Sequence, residues 1–195
     1  MMKFSEMKYC YKSKCKRIAD FFTPFPMNVE LSKWERKSYW LRKAGLVIGK
    51  GVAIDRNFLC ITGLEENITI EDHVAIGVGV KIWNYNSVLI GKFSTIAAET
   101  TFVNGGHDIN SLEPFSAPLT IGRGCWIGNG ARIVGPLSIG NNSIVGAGSV
   151  VLKNVPEGAI VAGVPAKIIR YRQLPDKVWH LGNNYFSPTT FELIK

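Results

Sequence analysis

An apolar residue returns every six positions through most of this chain, and that period decides what the chain can fold into. Ile48 and Ile54 begin the series, and Ile70, Ile76 and Ile82 continue it. Ile90, Ile96 and Phe102 follow, then Ile121, Ile127, Ile133, Ile139, Val145 and Val151. Glycine often stands one place later, at Gly49, Gly77, Gly91, Gly122, Gly128, Gly140 and Gly146. Four places after the apolar residue the side chain is small or β-branched: Val52, Val74, Val80, Ser94, Thr100, Ala131, Ser143 and Ser149. A six-residue period fits neither the 3.6-residue turn of an α-helix nor the plain alternation of a strand. Each hexad reads as a short strand and a bend. The apolar residue points inward, the glycine relaxes the backbone near the bend, and the small residue fits where two walls meet. Three walls make a triangular coil of about eighteen residues, with coils stacked about 4.8 Å apart as neighbouring strands are. The repeat supplies roughly six such coils, a mainly β parallel β-helix. A sandwich with glycine turns would need fourteen in-phase positions to arise by coincidence.

The repeat divides the chain into residues 1–45, 46–170 and 171–195. The first part is basic and aromatic, with Pro24 and Pro26 in its middle. Stretches 9–22 and 32–44 are predicted to be helical, the second ending at Gly45. The last part reads as a C-terminal tail. Two interruptions break the register: a bulge over 60–67, and the polar, Gly/Pro-containing excursion 104–118. An excursion from a regular solenoid is where function tends to be placed.

The formal charge is +8 and is concentrated early, from Lys3 to Arg17 and again from Lys33 to Lys43. This basic stretch is either a solvated face or an attraction to anionic lipid or an anionic acceptor. No nucleic-acid-binding motif accompanies it, so nucleic acid is not the expected partner. Cys10, Cys15, Cys60 and Cys125 form no CxxC pair and match no zinc spacing. Scattered thiols fit a reducing compartment. With no apolar leader and no membrane-length run, the expected location is the cytoplasm, with contact at the inner face of the membrane through the basic segment.

Of three histidines, His73 falls at an outward place of its hexad and His180 lies in the tail with no visible partner. His107 alone sits where the regular wall gives way to a loop. The residues around it carry a family likeness: His107-Asp108, Ala117-Pro118, the run Cys125-Trp126-Ile127-Gly128, the stretch Ile144–Val151, and Ala162-Gly163-Val164-Pro165-Ala166-Lys167. In this order they resemble the hexapeptide-repeat acyltransferases, including maltose and galactoside acetyltransferases. They resemble still more the acetyltransferases of capsule, O-antigen and exopolysaccharide gene clusters. The resemblance covers about half the chain, from Ile70 to Arg170, and departs from the maltose and galactoside enzymes over the first 45 residues.

That resemblance implies left-handed coils, against the general right-handed rule for parallel crossovers. It implies acetyl transfer from acetyl-coenzyme A to a sugar hydroxyl, with His107 as general base, since an imidazole near neutrality suits removal of a hydroxyl proton. Asp108, Glu113 or a backbone carbonyl would hold the other ring nitrogen. A backbone N–H near the loop would receive the oxyanion, and Gly105 or Gly106 would allow close approach of the backbone to the thioester. The coenzyme arm would pass Trp126, Asn129, Gly146 and Ala147, with Ser149 nearby, and Lys153, Lys167 and Arg170 would face its phosphates. Asn84, Trp83 and Tyr85 would face the sugar, with Asn86 read as a turn residue. The resemblance further implies a homotrimer with sites between subunits, and no metal. Cys125, the one rival nucleophile, reads as a packed thiol. The acceptor is left open between a polysaccharide repeat or its precursor, a free sugar, an amino sugar and an antibiotic. A three-histidine zinc site and a non-catalytic scaffold are the competing readings; the first would need His73 and His180 at matching places of the repeat.

Overall fold

A computed structural model describes residues 33–62, 67–180 and 184–194. The predicted helix over 9–22 and the first basic cluster lie outside them. Three parallel sheets form the walls of a β-helix. Face one stacks β1 (Val47–Ile48), β4 (Ile68–Ile70), β7 (Val88–Ile90), β12 (Leu119–Ile121) and β15 (Ser138–Ile139). Face two stacks β2 (Ala53–Ile54), β5 (Ala75–Ile76), β8 (Thr95–Ile96), β13 (Trp126–Ile127), β16 (Ile144–Val145) and β18 (Ala159–Gly163). Face three stacks β3 (Leu59–Cys60), β6 (Lys81–Trp83), β9 (Thr101–Val103), β14 (Arg132–Val134) and β17 (Val150–Val151). The hexad residues align in register up each wall, as in Ile54↔Ile76↔Ile96↔Ile127↔Val145. All of them are buried and together fill the single main core.

The corners explain the other repeated positions, and here the structure corrects the glycine reading. The glycines one place after the apolar residue do not take left-handed backbone. They are required because consecutive coils touch there. A Cβ on Gly128 would lie 2.5 Å from the backbone nitrogen of Ala147, and one on Gly140 would lie 2.4 Å from that of Glu157. Left-handed backbone falls instead three places after the apolar residue. Between faces one and two it recurs at Gly51, His73, Phe93, Gly124, Asn142 and Gly158. Between faces two and three it recurs at Asn57, Gly79, Glu99, Gly130 and Gly148. These two corners are therefore turns of one fixed conformation. The small residues four places on are buried beside them. Ser94 Oγ donates to the Gly122 carbonyl at 2.7 Å and accepts from the Cys125 N–H at 3.0 Å, tying three elements of the corner with one hydroxyl.

The corner between faces three and one has no fixed length. It is 84–87 in one coil and 135–137 in another. Both interruptions of the sequence, 60–67 and 104–118, fall at this same corner.

Each end of the solenoid is covered. Helix α1 (Lys33–Lys43) lies against β1 and β2 and stops where Gly45 turns to φ 112°. Its Leu41 is buried, and its polar residues bond carbonyls of the first coil. Arg42 Nε donates to Ile48 O at 2.9 Å and Ser38 Oγ to Val52 O at 3.1 Å, while Lys37 Nζ donates to Asp55 O. Part of the basic segment thus satisfies an edge that would otherwise expose unpaired carbonyls. At the other end β18 pairs antiparallel with β19 (Ala166–Tyr171). The tail then forms a small antiparallel sheet of β20 (Val178–His180), β21 (Asn184–Phe186) and β22 (Leu193–Ile194).

That sheet packs on the corner between faces one and two, through a second apolar cluster of Phe93, Phe186 and Phe191. Asn142 Nδ2 donates to Pro188 O at 3.0 Å, and Arg172 Nη1 donates to Asn142 O at 2.8 Å. His180 does have partners here, contrary to the sequence reading. It is buried edge-on to Phe93 and Phe186 and bonds the backbone of His73, whose own ring stacks on Phe93 at 5.1 Å. Burial lowers the His180 pKa below its ordinary 6.5, and the nearby His73 adds to the lowering; the bond to the His73 backbone opposes both.

Two outcomes are expected. Gly128→Ala should destabilise the β-helix more than Gly148→Ala in urea unfolding. The second methyl meets open space and costs only left-handed strain, about 1–2 kcal/mol. The first must push two backbones apart, at or above the ~3 kcal/mol upper range of overpacking. Between its lowered pKa and 6.5 the folded protein binds fewer protons at His180 than the unfolded chain, so stability is greatest above this window and falls as pH drops through it. Amide protection in 178–180 and 184–194, corrected for the intrinsic pH dependence of exchange, should therefore fall as pH drops below 6.5, and His180→Phe should remove that dependence.

Candidate active site

The excursion 104–118 is an antiparallel hairpin. β10 (Gly105–His107) pairs with β11 (Pro114–Ser116), so that His107 stands opposite Pro114. The loop between them is wound by Asp108. Its Oδ1 accepts from the N–H groups of Asn110 and Ser111, each at 2.9 Å, and from Ser111 Oγ at 3.2 Å. These bonds hold the Asp108 carboxyl below its ordinary range, the Ser111 N–H contributing most. The backbone closes the same loop, with Leu112 N–H donating to Asp108 O and Asp108 N–H to Glu113 O. Leu112 is driven into left-handed backbone at φ 55°.

The consequence is a carbonyl aimed at the imidazole of His107. Leu112 O lies 2.8 Å from His107 Nδ1. A carbonyl only accepts, so Nδ1 carries a proton, and in the neutral ring Nε2 keeps its lone pair. Sequence reasoning left three groups open for this role, and the backbone carbonyl is the one in contact. Asp108 acts on the ring through the loop it winds. The D-x-N-S spelling of an Asx turn was the available signal for that loop; nothing in the sequence marked Leu112. His107 is exposed, as are Ile109, Leu112 and Phe115 around it.

Below the hairpin, at the same corner, lies the turn 84–87. Trp83 is 38% exposed and Tyr85 half-buried, so both present surface beside the hairpin. The Tyr85 ring covers the backbone at Gly105, where a Cβ would approach Tyr85 Cδ2 to 2.8 Å. Asn84 is different. It is fully buried, with Oδ1 and the backbone carbonyl both 2.8 Å from Thr62 Oγ1. Its amide is occupied in joining two coils, a use that the sequence did not separate from contact with a ligand.

The residues read as a coenzyme groove occupy other parts of the surface. Asn129, Gly146 and Ala147 lie at the corner between faces two and three, and Trp126 is 53% exposed on face two. Lys167 and Arg170 are exposed on β19, and Lys153 follows β17. Within one chain, face three separates Asn129 and Ala147 from His107. Cys125 is buried, with Sγ 3.1 Å from Gly140 O. Burial pushes its thiol up to about 11, far from a nucleophile's range. His73 and His180 sit at the corner between faces one and two, away from His107, and among the described residues no three potential ligands gather for a metal. A groove of about 350 Å³ on face one, lined by Ile48, Thr69, Glu71, Asp72, Lys92 and Arg123, is likewise distant from the hairpin. Burial acts to raise the Glu71 carboxyl there, but bonds from Arg123 and the Lys92 N–H outweigh it and keep the group ionised.

Comparison with known proteins agrees with this architecture. Residues 118–153 match the family described as "Bacterial transferase hexapeptide (six repeats)". The chain is 31% identical to the "Putative colanic acid biosynthesis acetyltransferase WcaF" of Escherichia coli (strain K12), over 73% of this chain and 77% of that protein. It is 34% identical to the galactoside O-acetyltransferase of the same strain over 68% of this chain, and spans 60% of that relative's length. Among solved structures, a hexapeptide-repeat acetyltransferase of Vibrio cholerae O1 biovar eltor complexed with acetyl coenzyme A superposes with a TM-score of 0.65. The two are 28% identical, and the match covers 75% of this chain and 81% of that one.

Proposed function

Because the chain belongs to the hexapeptide-repeat acetyltransferase family, we propose that it transfers acetyl from acetyl-coenzyme A to a sugar hydroxyl of a surface polysaccharide or its precursor. The observation that carries this reading is the 2.8 Å contact of His107 Nδ1 with the Leu112 carbonyl, which in the neutral ring leaves Nε2 free to accept. Nε2, facing away from that bond, is the atom that takes a proton. In the proposed step the acceptor hydroxyl gives its proton to Nε2 while its oxygen attacks the thioester carbonyl. The tetrahedral intermediate collapses, the C–S bond breaks, and coenzyme A leaves as the thiol after receiving the proton. No acyl-enzyme is required, and the buried thiol of Cys125 supports a direct transfer.

The coenzyme would lie along Trp126, Asn129, Gly146 and Ala147, with Lys153, Lys167 and Arg170 toward its phosphates. Since these residues and His107 lie on different parts of one chain, the reading calls for a closed homo-oligomer, a trimer, in which a neighbour's groove meets this hairpin. Trp83 and Tyr85 offer the acceptor a polar-tipped aromatic surface suited to a sugar. The relatives' names, a colanic acid biosynthesis acetyltransferase and a galactoside O-acetyltransferase, favour an oxygen acceptor on a glycan. The reaction would take place in the cytoplasm, where acetyl-coenzyme A is made.

The test is an acceptor screen with cell-surface glycan intermediates, read by mass gain and by thiol release from acetyl-coenzyme A. His107→Ala should lower kcat/KM for the acceptor that the wild type uses by roughly 10²–10⁴-fold. Full transfer by His107→Ala would overturn the assignment of the base.

A further inference from the structure

We infer that Asn104 is a positioning residue that locks the acceptor-side turn 84–87 to the hairpin carrying His107, and so sets how an acceptor hydroxyl meets Nε2. This inference rests on the reading of the site given above.

The side chain of Asn104 is fully buried, and its whole amide is directed at one turn. Oδ1 accepts from the N–H of Tyr85 at 2.8 Å and from that of Asn86 at 3.3 Å. Nδ2 donates to Asn86 O at 2.9 Å and to Ser87 O at 3.0 Å. A carboxamide offers two donor hydrogens and two acceptor lone pairs, and all four are used. The partners also fix which atom is oxygen, since both Oδ1 neighbours are donors and both Nδ2 neighbours are acceptors. Other buried polar side chains of the β-helix, such as Ser94 and Ser143, bond corner carbonyls of the coils around them. Asn104 instead spends every bond on the one turn beside His107.

Its backbone holds both feet of the hairpin. Asn104 N–H reaches Trp83 O at 3.4 Å, and Asn104 O accepts from Ala117 N–H at 3.3 Å, where the second strand of the hairpin returns. The next residue, Gly105, lies under the Tyr85 ring. The register of face three, in which Trp83 pairs with Val103, places Asn84 and Asn104 at equivalent points of successive coils. With Thr62 bonding Asn84 from the coil before, Thr62, Asn84 and Asn104 form a polar ladder up this corner. Its upper rung is the root of the base-bearing loop. Trp83 and Tyr85, the aromatic surface beside His107, are therefore fixed relative to the imidazole through one amide.

Buried donors and acceptors left without partners loosen the segment that contains them, and a displacement of about 1 Å near a reacting pair can cost roughly 10²-fold. Asn104→Ala strips all four bonds. Asn104→Asp, measured at a pH low enough to hold the buried acid neutral, keeps the acceptor for Tyr85 and Asn86 and one donor toward Asn86 or Ser87, and it guards against a variant that fails to fold. Two measurements on the full chain test the proposal. Hydrogen exchange by mass spectrometry should show 83–88 losing protection in Asn104→Ala, and less so in Asn104→Asp, with the coils at 126–151 unchanged. Steady-state kinetics, begun with maltose and a methyl galactoside as probes, should show the acceptor KM rising by roughly 10-fold or more in Asn104→Ala. The KM for acetyl-coenzyme A should not change, and Asn104→Asp should fall between.

Unchanged exchange in 83–88 would overturn the inference, as would equal rises in both KM values, which are the mark of general loss of structure. A wild type that acetylates no sugar counts against the proposed function instead; the exchange pattern then decides by itself whether Asn104 couples turn and hairpin.

Discussion

Coils of this protein meet backbone to backbone where glycine follows the apolar residue on faces one and two, and the close stacking of those walls depends on that contact. Six-residue spacing brings each apolar side chain back to the same height on the next wall, but spacing alone does not let coils close on one another. Where glycine follows the apolar residue, on faces one and two, it removes a Cβ that would collide with the next coil. Parallel hydrogen bonds run up all three faces and the inward side chains interlock, from Ile54 to Val145 on face two. The left-handed residues three places on then turn the chain to the next wall. Steric clearance at these corners, hydrogen bonding up the walls and burial within them act together.

Two of the three corners obey this rule, and the third is released from it. At the fixed corners even His73, Phe93 and Glu99 adopt left-handed backbone, a strain of about 1–3 kcal/mol each that the stacked coils impose on them. One fixed corner is then roofed by the tail, through Phe93, Phe186 and Phe191. The free corner carries the hairpin of His107, the aromatic turn beside it and the polar ladder beneath. Regularity elsewhere makes this irregular place rigid. The hairpin has little core of its own, and it is held through Asn104, the Asp108 loop and the packing of Tyr85 on Gly105.

What the chain disclosed by itself follows from what is periodic. The apolar ladder, the three-walled coil and the break at 104–118 are written as repetition and its loss, and each appears where the spacing puts it. The helix ending at Gly45 was legible from one residue suited to a left-handed cap. The glycines were located correctly and explained wrongly. A close approach between residues a whole coil apart leaves no local trace, whereas a bend does. Asn84 and His180 were misjudged for a related reason. The Thr62 hydroxyl that engages Asn84 and the Phe93 ring that shelters His180 come from distant coils. The Leu112 carbonyl is harder still, since any residue has one, and its direction depends on a backbone conformation that leucine rarely takes.

Both breaks in the repeat open at the same corner, and that has a consequence for how such a protein can change. Coils on either side of a break keep their register, with Trp83 still above Ile61's wall and Val103 still below Val134. An insertion there adds no twist to the solenoid and disturbs no inward side chain. The scaffold therefore behaves as a socket into which loops of different length can be exchanged. New loop chemistry can be grafted or inherited at this edge without the rest of the chain having to be redesigned.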